Sequence, residues 1–270
     1  MKFSDFLEKT VKFFYKILCG IYMFITTYLE NVIYLKKSKR RLIFDKGFFE
    51  RDFKIDNFEI LKSNNKFKIN NYLDVYNFKH ANLETLIKNI FDKKFQEYIT
   101  SKTGFEYSID YMIMYSRRFI PYKKRIQKTL DMWYSYKWHY DKPNSKNTLK
   151  IILPINISKN HGPLSMLDIE SSKRISNLKT IKDKNRTLDF VGNSNKLYGF
   201  LPALCVHKDG IPNEGEIATQ IMFQLNPHKK WVINNRLFSK ITFDKNKLGT
   251  WTTEPKFPLF SYFLNKRLYF

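Results

Sequence analysis

The chain has 270 residues, 43% hydrophobic and 17% aromatic, which excludes an intrinsically disordered protein and supplies enough apolar side chains for one large domain or two smaller ones. Its 48 Lys and Arg against 25 Asp and Glu give a formal net charge of +23, a sign that favours anionic partners such as nucleic acid, phospholipid head groups or acidic glycans. The same chain is crowded with Lys, Asn, Ile, Phe and Tyr, the pattern left by A- and T-rich codons, so the net charge is discounted as a functional signal.

Residues Val11 to Leu35 are mostly apolar but carry Lys12, Lys16 and Glu30. Their uncharged run, Ile17 to Leu29, has 13 residues, short of the roughly 20 that cross a bilayer as a helix. Lys36, Lys37, Lys39, Arg40 and Arg41 follow at once. The stretch reads as a helix packed on the core or as an aromatic-rich helix lying on an anionic membrane surface. No small residues follow it at a cleavage point, so no secretory signal is expected. Cys19 and Cys205 form neither a CxxC nor a CxxH pair, which argues against a disulfide framework or a zinc knuckle and for a reducing, cytoplasmic setting, with membrane association through residues 11–41 as the variant.

Residues 42 to 80 alternate weakly and read as short strands and loops. After Asn82, the apolar residues Leu86, Ile87, Ile90, Phe91, Phe95, Tyr98 and Ile99 recur at helical spacing, with Gly104 as the stop. One helix is expected there. From Tyr107 onward the pattern becomes strand-like: Met112 to Phe119, Leu130 to Trp138, Leu149 to Ile157, Thr187 to Val191, Leu197 to Val206, Ala218 to Leu225 and Trp231 to Phe243. Short strands separated by Pro, Gly and Asn point to a sandwich, barrel or jelly roll. The polar insertion Ser171 to Lys184 is expected to cover its mouth. The division expected is a helical N-terminal cap over residues 1–105 and a β core over 106–270.

The chemistry centres on Trp138-His139-Tyr140-Asp141. Residues two apart on a strand share a face, so His139 and Asp141 can present an imidazole and a carboxylate to one point. His207, 66 residues after Asp141, can complete a two-histidine, one-carboxylate face, which leaves ferrous iron open positions for a co-substrate and oxygen.

The flanking residues resemble a known family. Trp138 to Asp141, the apolar run Leu149 to Asn156, His161-Gly162-Pro163-Leu164 with Ser171-Ser172, and Leu204 to Gly210 before Ala218 to Leu225 resemble the core of the phytanoyl-CoA dioxygenase-like iron(II)/2-oxoglutarate oxygenases, over roughly residues 107 to 227. The resemblance implies a mainly β chain with a double-stranded β-helix (jelly-roll, cupin-like) core. It implies His139, Asp141 and His207 as metal ligands and catalytic residues, Fe(II) and 2-oxoglutarate as cofactors with ascorbate as reductant, and hydroxylation of a small-molecule, lipid or saccharide-like substrate by oxygen. One departure stands out. The family pairs the far carboxylate of 2-oxoglutarate with an Arg on the strand after the distal histidine, whereas Glu216 to Gln220 here holds none. Lys150 is the first replacement, Lys208 and Arg236 come after it, and Thr219 is placed beside the co-substrate.

Other residues take plainer readings. Cys205 is a small buried thiol, His161 a turn residue, and His80 and His228 have no carboxylate at useful spacing. Trp133, Tyr134, Tyr136 and Trp138 read as packing aromatics or as a platform that stacks bases or sugars, and Arg117 and Arg118 read as a solvated strand edge or, less often, as holders of an acidic substrate group. Two rivals remain: a catalytically degenerate or differently metallated jelly-roll protein, and a basic membrane-surface or nucleic-acid-binding protein.

Overall fold

The computed structural model describes residues 3–36, 46–53, 65–77, 80–125, 136–141, 144–175, 178 and 187–233. The strands are β1 (Phe48–Asp52), β2 (Asn65–Asn70), β3 (Leu73–Asn77), β4 (Glu106–Arg118), β5 (Leu149–Pro154), β6 (Leu164–Met166), β7 (Leu188–Phe190), β8 (Lys196–Phe200), β9 (His207–Lys208), β10 (Ile217–His228) and β11 (Val232–Ile233). The helices are α1 (Phe3–Ile33), α2 (His80–Ile90), α3 (Lys93–Thr103), α4 (Tyr122–Arg125) and α5 (Ile169–Arg174). The large sheet runs β1-β8-β5-β10-β4-β3-β2 with β11 beside β4, and the small sheet runs β7-β6-β9. His139 extends the small sheet by an antiparallel bridge to His207.

The chain therefore winds from sheet to sheet. It passes from β4 in the large sheet to His139 in the small one, back to β5, over to β6 and β7, back to β8, over to β9 and home to β10. The large-sheet order β8-β5-β10-β4 and small-sheet order β7-β6-β9-His139, paired antiparallel throughout, are those of a double-stranded β-helix. The strands β1 to β3 from the N-terminal section widen the same large sheet, β1 on β8 and β3 on β4.

Alternation sorts the side chains. Leu149, Ile151 and Leu153 of β5, with Ile221, Phe223 and Leu225 of β10, pack against Leu86, Ile87, Ile90, Phe91, Phe95 and Ile99 of the helical layer. Ile152 of β5, Tyr198 and Phe200 of β8 and Met222 of β10 point the other way, into the space between the sheets, and meet Leu164, Met166 and Phe190. This second face holds the candidate site. Gly199 is fixed by packing, since a Cβ there would lie 1.9 Å from the Phe49 ring.

Several expectations are corrected. The single helix expected after Asn82 is two, because the Asp92 side chain accepts a hydrogen bond from Phe95 N (2.7 Å) in extended geometry and restarts the helix. Gly104 ends it with φ 77°, the left-handed cap that glycine adopts without strain. The expected strand Leu197 to Val206 stops at Phe200 and turns through Leu201 to Cys205, where Leu204 N and Cys205 N both donate to Leu201 O. Pro202 has no N–H for a ladder. Arg117 is not on a solvated edge, because β4 lies between β10 and β3 and the side chain is fully buried. The uncharged run 17–29 is only the middle of α1, which continues through Phe13–Ile33 as a helix long and apolar enough by length and composition to cross a membrane. Residues 37–45, 130–135 with Trp133 and Tyr134, most of 176–186, and 234–270 with Arg236 lie outside the described residues.

Candidate metal centre

The small sheet brings the three expected ligands together. His139 N donates to His207 O and His207 N to His139 O, both at 3.0 Å, the narrow antiparallel pair that faces two side chains across adjacent strands. The two rings stand 4.4 Å apart between centroids. Asp141, two residues on, is fixed by its backbone N–H on Pro202 O at 3.0 Å. One ligand atom from each of His139, Asp141 and His207 falls within 4.8 Å of the others.

The hydrogen bonds decide which atoms face inward. His139 Nδ1 lies 2.7 Å from Lys137 O and His207 Nδ1 3.0 Å from Cys205 O. A carbonyl can only accept, so each Nδ1 carries a proton, and in the neutral ring Nε2 is the atom left with a lone pair. Both Nε2 atoms then point at Asp141 Oδ1, at 3.4 and 3.6 Å. With both rings neutral, three electron-rich atoms converge on one point, an arrangement that a cation satisfies. The backbone carbonyls behind the imidazoles are the partners that metal-ligating histidines usually have. The residues thus fit a divalent metal in a two-nitrogen, one-oxygen set.

The surroundings reinforce the polarity. His207 is buried, with Phe200 edge-on at 4.9 Å. Burial and then the neighbouring His139 push its pKa down, so it is held neutral, as a ligand must be. Burial also pulls His139 down, but the hydrogen bond and charge of Asp141 outweigh it and the net shift is upward. Asp141 is desolvated, which works against its charge, yet Lys150 and the two imidazoles hold its carboxyl well below the usual range. The Lys150 ammonium forms an ion pair with Asp141 Oδ2.

The remaining candidates divide. Lys150 reaches the triad from β5. Thr219 does not: it shares the helix-facing side of β10 with Ile221 and Phe223, and its hydroxyl bonds Ser116 Oγ at 2.7 Å. Lys208 points away from His207 and holds its ammonium 4.9 Å from the Trp138 ring centroid. His161 Nε2 meets Glu216 Oε2 at 3.1 Å, and His228 stacks on Tyr34.

A second polar cluster, missed in the sequence, lies on the same inner face. Arg117 Nη1 donates to Gly210 O at 2.8 Å and lies 3.3 Å from Asp209 Oδ1, while its Nη2 donates to Gln220 Oε1 at 3.2 Å. Tyr115 Oη donates to Asp209 Oδ2 at 3.1 Å. Asp209 is two residues beyond His207, just past the end of β9, so the cluster neighbours the triad along the chain. That His-x-Asp spacing, the same as at His139 and Asp141, was the signal available.

The fold and site together define a double-stranded β-helix with a two-histidine, one-carboxylate cluster at its small sheet. No family model and no curated protein matches the sequence. Among solved structures, the chain is similar to EvdMO1 at 13% identity and TM-score 0.47 over 69% of this chain, spanning 49% of EvdMO1, about half its length. It is similar to the non-heme alpha-ketoglutarate-dependent epimerase SnoN from nogalamycin biosynthesis at 12% identity and TM-score 0.45, covering 68% of this chain and 78% of SnoN. It is similar to HygX from Streptomyces hygroscopicus, solved with nickel and 2-oxoglutarate bound, at 11% identity and TM-score 0.44, covering 72% of this chain and 87% of HygX.

Proposed function

We propose that the chain is a non-haem iron(II)/2-oxoglutarate-dependent dioxygenase that hydroxylates a C–H bond of a small-molecule substrate. The convergence of His139 Nε2, His207 Nε2 and the Asp141 carboxylate on one point carries this reading. Two neutral imidazoles and one carboxylate suit ferrous iron with a face left open. With iron and 2-oxoglutarate bound, the chemistry supplied is oxidative decarboxylation coupled to hydroxylation: one atom of O2 enters succinate, the other the substrate, and carbon dioxide leaves.

The chain's own residues do the rest. Lys137 O and Cys205 O hold the imidazoles in the ligating tautomer. Phe200 sets its ring edge-on to His207, and Ile152 and Met222 add apolar surface on the same inner face. Arg117 takes the part of the arginine lacking from Glu216 to Gln220, because it is the cross-strand neighbour of Ala218 on β10 and its guanidinium lies on the inner face. It would receive the far carboxylate of the keto acid, with Tyr115 and Gln220 alongside. Lys150, turned to Asp141, would bear on the metal end instead.

That Lys150–Asp141 contact also favours a second reading, a jelly-roll protein in which an ammonium, and not a metal, neutralises the carboxylate. Anaerobic titration with ferrous iron and then 2-oxoglutarate separates the two. A visible charge-transfer band that needs both additions, and that weakens in Arg117→Met through a raised Kd for 2-oxoglutarate, supports the dioxygenase. Iron binding with no band removes 2-oxoglutarate from the reading, and no iron binding supports the metal-free alternative.

A further inference from the structure

Helix α1 is turned inside out relative to a helix of a water-soluble surface. The side it presents to the protein is marked by Cys19, Thr26 and Glu30, all buried. The Glu30 carboxylate accepts hydrogen bonds from Ser145 Oγ and, at 3.3 Å, from Asn147 Nδ2, while Thr27 Oγ1 accepts from Lys146 N at 3.0 Å. The opposite side carries eleven large apolar side chains between Phe13 and Ile33, each 41% to 69% exposed. Ile17, Ile21, Phe24, Tyr28 and Val32 form its central stripe at spacings of three and four residues. Isolated exposed apolar residues are ordinary, but a continuous face of this size marks an interaction surface.

We infer that α1 is an in-plane membrane anchor whose outer face enters the headgroup and acyl boundary of an anionic bilayer. Charge selects the occupant. Lys9, Lys12 and Lys16 precede or open the apolar stretch, and Lys36, Lys37, Lys39, Arg40 and Arg41 follow it at once. Anionic head groups complement such flanks, whereas a second equally basic copy would meet them with repulsion. The buried side selects the orientation. Glu30 and Thr27 fasten the helix to Ser145, Lys146 and Asn147, so a spanning pose would carry these polar groups into hydrocarbon, where they are costly. Lying flat, the stretch Phe13–Ile33 extends about 32 Å along the surface and keeps that polar seam above the lipid.

The test is flotation of the full chain, purified in detergent, with vesicles of phosphatidylcholine containing phosphatidylserine or of phosphatidylcholine alone. The expected result is co-flotation that is stronger with phosphatidylserine and weakened by salt. The outward double variant Ile21→Ser/Phe24→Ser, with an unchanged circular dichroism spectrum, should partition at least about tenfold more weakly. A tag ahead of Met1 should stay open to added protease, on the same side as the folded domain. Absence of flotation, or flotation equal in the double variant, overturns the anchor. A lipid-free dimer that the double variant dissociates, without flotation, assigns the face to a second copy. Protection of the tag from protease assigns a spanning helix and overturns the in-plane pose.

Discussion

Replacing Arg117 with Met tests whether the interior polar cluster is as desolvated as its geometry indicates. The Arg117 side chain is 1% exposed and that of Asp209 10%, at 3.3 Å. The substitution keeps much of the aliphatic stem and removes the donors to Gly210 O and Gln220 Oε1 and the countercharge of Asp209. Breaking a buried pair by removing one partner costs about 3–5 kcal/mol. Asp209 retains the Tyr115 hydroxyl at 3.1 Å and Gln220 Nε2 at 3.4 Å, so the lower end applies, about 3 kcal/mol, a large share of the ~5–15 kcal/mol that stabilises a typical domain. Urea unfolding at neutral pH, followed by tryptophan fluorescence and circular dichroism together, measures it. Adding Asp209→Asn to Arg117→Met should recover stability, because the orphaned charge is then removed. A loss below about 1 kcal/mol for Arg117→Met, or no recovery in the double variant, refutes a dry ion pair at this position.

Three further outcomes follow from the same structure. Lys150→Met should tighten ferrous-iron binding by about tenfold, since the ammonium on Asp141 repels a bound cation; isothermal titration under anaerobic conditions reads this, and weaker binding would place Lys150 among the groups that support the metal. Phe223→Ala, which empties a fully buried site 5.3 Å from the Phe91 ring, should cost about 3–5 kcal/mol in chemical unfolding. Asp168 caps α5 through Ser171 N at 2.6 Å, and although burial opposes its charge, that bond holds its carboxyl below the ordinary value. A depressed folded-state pKa contributes stability above the unfolded value near ~3.9 that is lost as pH falls. Asp168→Ala should therefore cost about 1 kcal/mol at neutral pH and much less in acid, and an equal cost at both would assign it a role other than that cap.

Local rules carried the reading of the sequence where they dominate and failed where tertiary contacts decide. His139 and Asp141 were legible because period-two spacing fixes their shared face, and His207 because it closes an apolar run; the winding of the sheets then brought it opposite His139. Of the two readings of Arg117, the solvated edge fails because a cation on a strand resembles an edge device, and only the register Ala218↔Arg117 shows that it lies inside a sheet. Thr219 was misplaced by one step of alternation, since Gln220 faces inward and its neighbour must face the helices. The break at Asp92 was masked by apolar spacing that continues across it from Phe91 to Phe95. For α1, the uncharged run alone hid the important division: Glu30 faces the protein and the apolar side faces out.

The most direct measurement is the ferrous-iron stoichiometry of the full chain under anaerobic conditions, alongside His139→Ala, Asp141→Ala and His207→Ala. The account predicts one iron per chain in the native protein and none retained in any of the three variants, each with its circular dichroism spectrum preserved. Stoichiometric iron in a variant lacking one of these side chains, or no iron in the native protein, would contradict the metal centre on which the proposed activity stands.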